Sequence, residues 1–295
     1  MNQSAHPLII LDGSLGLELS KRGFDKRELW ATHALLEDPS AVRQLHIDYI
    51  EAGADVITTN TYSCAPLYLA REPGLSGRAR ELTALAGRLA VEAREEAGRP
   101  DIRIAASLPP LDESYRPDLV RSADEMVVWY QMMVEELAPH VDLYLCETMS
   151  SIAEAEAAAS VAAQTAKPVW VSWTILDDKP ATLRSGETVA DAVAAIAGHD
   201  PSALLFNCST PEAITASMPI LRAQTDLPIG AYANGFPPVP ADFNLATTFL
   251  EHLTPEAQTY VEHTTRWLEA GASIVGGCCD IGPEHILAVS EAARS

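Results

Sequence analysis

The chain has 295 residues, 47% of them hydrophobic, and a formal net charge of −21 with no basic block. Nucleic acids and anionic membranes are gripped by clustered lysine and arginine, so this balance excludes both as expected partners. The length is large for one ordinary core but suits a single α/β barrel, which needs about 250 residues.

The acidic charge is spread along the chain and reads as a solvated surface. The cysteines are Cys64, Cys146, Cys208, Cys278 and Cys279, an odd number without framework spacing. That usage suits a reducing compartment better than a secreted disulfide scaffold. The apolar run 8–11 is cut short by Asp12 and has no basic flank, so no signal peptide is expected. No stretch approaches the ~20 apolar residues of a membrane span. We therefore expect a soluble, cytoplasmic protein.

Leu8-Ile9-Ile10-Leu11 reads as a first strand ending in the turn Asp12-Gly13. A helix is predicted from Asp38-Pro39 to Gly53, with proline at its start and glycine past its end. Strands follow at 56–62 and 102–107, separated by a helix over 76–98; β-branched residues dominate the first of these. The helix 123–137 leads to a strand at 143–147, and the Ala-rich helix 151–166 to a strand at 169–173. Next come a helix at 189–197, a strand at 203–208, a helix opened by Thr210-Pro211-Glu212, and a strand at 229–234. Thr254-Pro255-Glu256 opens a helix ending at Gly271, Ser273 to Cys279 forms the last strand, and Gly282-Pro283-Glu284 starts the closing helix.

Eight strands alternating with helices predict a (β/α)8 TIM barrel occupying the whole chain, 1–295, as one domain. The strands are continuously apolar, as strands covered on both faces should be. An open doubly wound sheet would also alternate, but no Gly-rich phosphate loop follows the first strand. The loops 108–121 and 236–244 are long and partly Pro-rich, and long βα loops in barrels commonly carry function.

In such barrels the active site lies at the C-terminal strand ends. Those ends carry Asp12, Thr59 to Ser63, Ser107, Glu147, Trp173, Asn207-Cys208, Asn234 and Cys278-Cys279. By themselves, Cys278 and Cys279 are equally readable as buried small residues, a strained disulfide, or two metal ligands. Gly276-Gly277 supplies the backbone freedom needed for neighbouring thiols to serve one site. Cys208 ends the sixth strand and the pair ends the eighth, so a closed barrel brings three thiols together. Three protein ligands and one open position form a catalytic zinc site, and thiolates favour that metal. Cys64 and Cys146 lack such partners and are expected to be ordinary core or lining residues.

These blocks resemble the homocysteine S-methyltransferase family, zinc-binding barrels that include the betaine-homocysteine enzymes and the homocysteine domain of cobalamin-dependent methionine synthase. The resemblance runs nearly end to end. Residues 12–19 are similar to the family's opening Asp-Gly-Gly block, with Ser14 in place of the second glycine. Leu29-Trp30, Ala52-Gly53-Ala54-Asp55, Thr59-Asn60-Thr61-Tyr62, Glu147-Thr148, Asn207-Cys208 and Gly276-Gly277-Cys278-Cys279 follow in family order. The resemblance implies Cys208, Cys278 and Cys279 as ligands of Zn2+. It implies Asp12 and Glu147 at the amino group of homocysteine, with Thr59 and the Gly13 backbone near its carboxylate. Asn234 matches a position that in some relatives approaches the metal when no substrate is bound.

The partners implied are small molecules, homocysteine and a methyl donor. Zinc would hold the acceptor sulfur as a thiolate, ready to displace a methyl group in line. Betaine-using relatives place aromatic residues where this chain has Ser63 and Thr148, leaving Trp30 as the one ring expected to face a donor. We therefore expect a sulfonium donor, S-methylmethionine or S-adenosylmethionine, rather than betaine. The loop with Leu108-Pro109-Pro110 and Ser114-Tyr115-Arg116-Pro117 departs from the Gly-Pro-rich loop of better-known relatives. Other readings remain open: another thiol or selenol acceptor, a zinc hydrolase using Glu147, or a zinc-binding barrel without transfer.

Overall fold

The apolar, β-branched runs form strands and the amphipathic segments between them form helices, so that at least one helix separates each strand from the next. The structure, a computed structural model, describes residues 6–25, 29–240, 242–243 and 254–295. The strands are β1 (Ile9–Ile10), β2 (Val56–Thr58), β3 (Arg103–Leu108), β4 (Leu143–Met149), β5 (Val169–Trp173), β6 (Ala203–Asn207), β7 (Ile229–Ala233) and β8 (Ile274–Gly277). They lie in one parallel sheet in the order β1-β8-β7-β6-β5-β4-β3-β2. Leu11 bridges Val56 in parallel beyond β1. There the Asp12 N–H donates to the Val56 carbonyl at 3.0 Å and the Asp55 N–H to the Ile10 carbonyl at 2.7 Å. These bonds close the seam into the (β/α)8 barrel.

Side chains alternate between two interiors, as the period of two requires. Leu11, Val56, Ala105, Leu143, Leu145, Trp170, Ala203, Leu205 and Ile274 fill the barrel lumen. Their neighbours, such as Ile57, Ile104, Ala106, Tyr144, Leu204 and Phe206, pack outward against the helices. Cys64 and Cys146 belong to that outer layer and are fully buried.

The predicted helices are present, including Pro39–Glu51, Ala79–Glu96 and Ala257–Glu269. The glycines that follow these three, Gly53, Gly98 and Gly271, have φ of 98°, 64° and 94°. Such left-handed caps are where glycine is cheapest. Three short helices, Leu15–Lys21, Thr32–Glu37 and Pro66–Leu69, were not anticipated, because one or two turns are too short for a periodic signal. Several strand ends differ from expectation: β2 stops at Thr58, β6 at Asn207 and β7 at Ala233, whereas β4 continues past an irregularity to Met149. Of the trimmed residues, Thr59, Asn60, Tyr62 and Cys208 leave the ladder to line the barrel mouth. Loop 108–121 holds one 3-10 turn, Pro117–Leu119. Of the loop expected at 236–244, residues 241 and 244 lie outside the described residues. Among the described residues no helix is long and apolar enough to cross a membrane.

Candidate metal centre and substrate pocket

A regular β6 would aim Cys208 outward, on the same face as Leu204 and Phe206. Instead Cys208 adopts φ of 50°, and this turn brings its sulfur into the mouth. Beyond β8 the ladder ends at Gly277 and the chain bends at Asp280, φ 65°, while the sulfurs of both Cys278 and Cys279 reach the same point. The three sulfurs lie within 4.8 Å of one another. Non-glycine residues with positive φ are uncommon and strained. Trp30, Tyr115, Thr148, Cys208 and Asp280 all have φ between 48° and 65°, and all stand at this mouth or directly behind it. Among the described residues these are five of the seven non-glycine residues with positive φ, the other two being Ala181 and Asp200.

Burial opposes ionisation of Cys208, but hydrogen bonds from Cys278, Cys279, Tyr115 and Thr148 outweigh it and hold its thiol well below the usual range. Cys278 and Cys279 donate to that thiolate and therefore keep their own protons more firmly. One thiolate with two thiols converging on it is a donor set suited to a soft or borderline cation, which would displace the remaining protons.

Two devices hold this arrangement. Cys278 N–H donates to the Ala233 carbonyl at 3.0 Å and Gly277 N–H to the Asp12 carbonyl at 3.0 Å, tying the thiol loop to both neighbouring strands. One rung earlier, a side chain ties β7 and β8 together. Tyr260 inserts its hydroxyl there, accepting from Ala233 N–H at 3.0 Å and donating to Gly276 O at 2.7 Å. The glycines are required by close approach. A Cβ on Gly276 would lie 2.4 Å from the Leu11 Cβ, and one on Gly277 would lie 2.2 Å from the Ile281 side chain.

Beside the thiols lies a polar half built on β1 to β4. Asp12 is buried and accepts from the Thr58 amide at 2.7 Å and the Thr58 hydroxyl at 3.0 Å. Glu147 accepts from the Ser107 hydroxyl and, at 3.3 Å, from the Tyr232 hydroxyl. Burial pushes the Asp12 carboxyl up to about 8, with the nearby Glu147 adding to the rise. Burial likewise pushes Glu147 up to about 7. Two buried carboxyls in one cavity would be relieved by a cation placed between them. Asn207 locks the Thr148 turn that aims Glu147: its Oδ1 accepts from Thr148 N–H at 2.9 Å and its Nδ2 donates to the Thr148 hydroxyl at 2.8 Å.

The cavity is lined by Asp12, Gly13, Trp30, Thr59, Glu147, Cys208, Cys278 and Cys279, among others, so most of the sequence-derived set meets in one place. Several members behave differently from expectation. Thr61 gives its proton to the Ser107 carbonyl, so Thr59 must give its own to Thr61, leaving the Thr59 hydroxyl no proton for a ligand. Asn234 is buried with its Oδ1 unpartnered and does not line the cavity. Trp173 packs into the outer helix layer. Ser63 faces Thr32, bonding its hydroxyl at 2.8 Å.

The expectation of a single aromatic ring is corrected. Trp30 lies on Gly16, whose Cβ would fall 2.1 Å from the indole nitrogen, and it lines the cavity. Tyr62, Tyr115, Tyr232, Phe236 and Phe243 line it too. Tyr115 and Phe243 meet edge to face at 5.1 Å and form one apolar cluster with Phe236, Val239 and Cys208. The available signal was an aromatic residue within each long βα loop, at Tyr115, Phe236 and Phe243.

A closed parallel barrel with a triad of cysteines and a pair of buried carboxyls at its catalytic face defines a barrel enzyme of the thiol-rich type. The chain belongs to the homocysteine S-methyltransferase family, whose sequence profile matches residues 9–293. It is 31% identical to the homocysteine S-methyltransferase YbgG of Bacillus subtilis, over 98% of this chain and 96% of that one. It is also 31% identical to the homocysteine S-methyltransferase of Escherichia coli, over 98% of this chain and 95% of the relative. A crystal structure of the E. coli homocysteine methyltransferase MmuM in its metallated form superposes with a TM-score of 0.82 at 29% identity, covering 99% of this chain and 97% of that one.

Proposed function

We propose that the protein transfers a methyl group from a sulfonium donor to the thiol of L-homocysteine, giving methionine, with Zn2+ held by Cys208, Cys278 and Cys279. The observation that carries this reading is the convergence of three sulfurs within 4.8 Å at a mouth shared with Asp12 and Glu147. The donor set fits the metal, since Cys208 is already disposed to be a thiolate and the other two sulfurs point at the same spot. A relative described as metallated, and relatives named for homocysteine, support the same choice. Bound zinc would supply the acidity that converts the acceptor thiol, otherwise mostly protonated near neutral pH, into a nucleophilic thiolate.

The chain's own groups do the rest. Asp12 and Glu147 hold the acceptor's ammonium, and its charge relieves their burial. Gly13 presents its backbone to the acceptor's main chain, and glycine is needed there because a Cβ would sit 2.2 Å from the Ile281 carbonyl packed behind it. Trp30, Tyr62, Tyr115, Phe236 and Phe243 exclude water and face the donor with π surfaces that suit a cation. The acceptor sulfur attacks the donor methyl carbon as the carbon–sulfonium bond breaks, and the electron pair leaves with a neutral thioether. Holding both reactants in line is the main catalytic contribution of such a cavity. The rings would accept betaine's quaternary ammonium as well. Preference for a sulfonium rests on the leaving group, because a neutral thioether departs more readily than a tertiary amine. A donor panel with fixed homocysteine and zinc-loaded protein tests this. Methionine formed with S-methylmethionine or S-adenosylmethionine, and little with betaine, is expected; the reverse ranking would overturn the donor assignment.

A further inference from the structure

Four loops of the catalytic face meet on a buried ion pair that contributes no atom to the cavity. Arg184 Nη2 bonds Asp177 Oδ2 at 2.8 Å, with side chains only 6% and 5% exposed. Asp177 also accepts from the Thr210 N–H at 2.8 Å and the Val239 N–H at 3.2 Å. Arg184 donates through Nη1 to the Val239 carbonyl at 3.2 Å and through Nε to the Thr174 hydroxyl at 3.3 Å. Its guanidinium carbon lies 5.2 Å from the centroid of the Tyr115 ring.

Both ends of this network reach Cys208. Thr174, which receives Arg184 Nε, passes its proton to the Cys208 carbonyl at 3.0 Å. This supports the residue whose φ of 50° turns its thiol inward. Tyr115, which carries the guanidinium on its ring, packs in one cluster with the Cys208 side chain. We propose that the Asp177–Arg184 pair is a positioning element for the thiol centre, fixing Cys208 through Thr174 on the backbone side and through Tyr115 on the sulfur side. Only a planar, forked cation can address a carboxylate, a carbonyl and a hydroxyl at once while laying its face on a ring, so lysine is not equivalent here. This rests on the proposed metal reading of Cys208, Cys278 and Cys279.

The test is a double-mutant cycle on the full chain with Arg184→Lys, Tyr115→Phe and the double variant. Each protein is stripped and loaded with Co2+. The thiolate-to-cobalt absorption band and metal retention against a chelator are recorded beside melting curves and methionine formation. We expect Arg184→Lys to bind one metal, shift the band and weaken retention roughly ten-fold. In the Tyr115→Phe background the same change should have a distinctly smaller effect. Should Arg184→Lys fail to fold, the isosteric Asp177→Asn takes its place in the cycle. A lowered melting temperature with an unchanged band and unchanged retention would overturn the proposal, as would strict additivity in the cycle. A wild type that binds cobalt but makes no methionine would instead overturn the reaction and leave the positioning intact.

Discussion

The mouth of the barrel has two halves that are built differently. The polar half, with Asp12, Thr58, Ser107 and Glu147, stands on or next to strands whose ladder fixes each backbone. The aromatic half, with Tyr115, Phe236, Val239 and Phe243, stands on loops, and its order depends on side chains such as Arg184 and Asp177. The thiols lie on the border, attached to strand ends yet turned by strained loop geometry. In the proposed reaction, the groups that hold the acceptor are on the rigid scaffold, and the groups that would face the donor are on loops, the parts free to vary.

The strongest way to break this division is at its border. Cys208→Ala, Cys278→Ala and Cys279→Ala should each remove bound zinc and reduce methionine formation at least 10³-fold, by metal analysis and product assay on the same samples. Full zinc and full turnover in any one of them would contradict its place in the centre.

The next effect concerns the floor of the aromatic half. Glu154 lies beneath loop 108–121 in a small cavity with Arg116, Arg121, Asp112 and Glu113. Burial raises its carboxyl from 4.5 to about 7, against opposing hydrogen bonds from Ser150. Between these values the folded protein binds the extra proton. The contribution of Glu154 to stability is therefore complete below about 4.5 and lost as pH rises through 7. The scale is about 3 kcal/mol at most. His46 acts oppositely: burial lowers it from 6.5 to about 4, so its contribution is present above 6.5 and lost as pH falls through 4. Melting curves across pH should show Glu154→Gln gaining stability relative to wild type toward pH 8, and His46→Phe gaining it toward pH 4. Parallel curves for wild type and Glu154→Gln would refute the first assignment.

In the polar half, Asp12→Asn or Glu147→Gln should raise the acceptor KM by roughly ten- to hundred-fold with zinc content unchanged, since a charge-assisted hydrogen bond contributes about 1.5–3 kcal/mol. Steady-state kinetics at saturating donor reads this directly. Zinc loss with an unaltered acceptor KM would move these carboxyls from the substrate to the metal. The smallest effect is expected at Tyr260→Phe, which removes the hydroxyl wedged between Ala233 and Gly276. Chelator competition should show zinc retention weakened by several-fold, about 1 kcal/mol for one neutral hydrogen bond. No change in retention would make that wedge irrelevant to the thiols.

The polar half was readable from the sequence because its residues sit at strand ends, where strand order alone predicts neighbours. Asp12, Glu147 and the three cysteines meet as that order implies. The aromatic half was not, because loop residues have no period from which their direction follows. Tyr115, Phe236 and Phe243 reach the cavity through turns and ring contacts rather than ladder positions. Thr59 illustrates a different limit: it lines the cavity, but the relay that consumes its proton depends on Thr61 and Ser107 in three dimensions. The Asp177–Arg184 pair left no trace in the sequence, where two charged loop residues look like any solvated pair.

The most direct measurement returns zinc stepwise to chelator-stripped protein and follows methionine made from homocysteine and a sulfonium. Turnover should be absent without metal, rise in proportion to zinc, and level off at one equivalent per chain, with no such recovery in Cys208→Ala. Turnover in the stripped protein, or recovery that ignores the loss of Cys208, would contradict a zinc centre built on these three thiols.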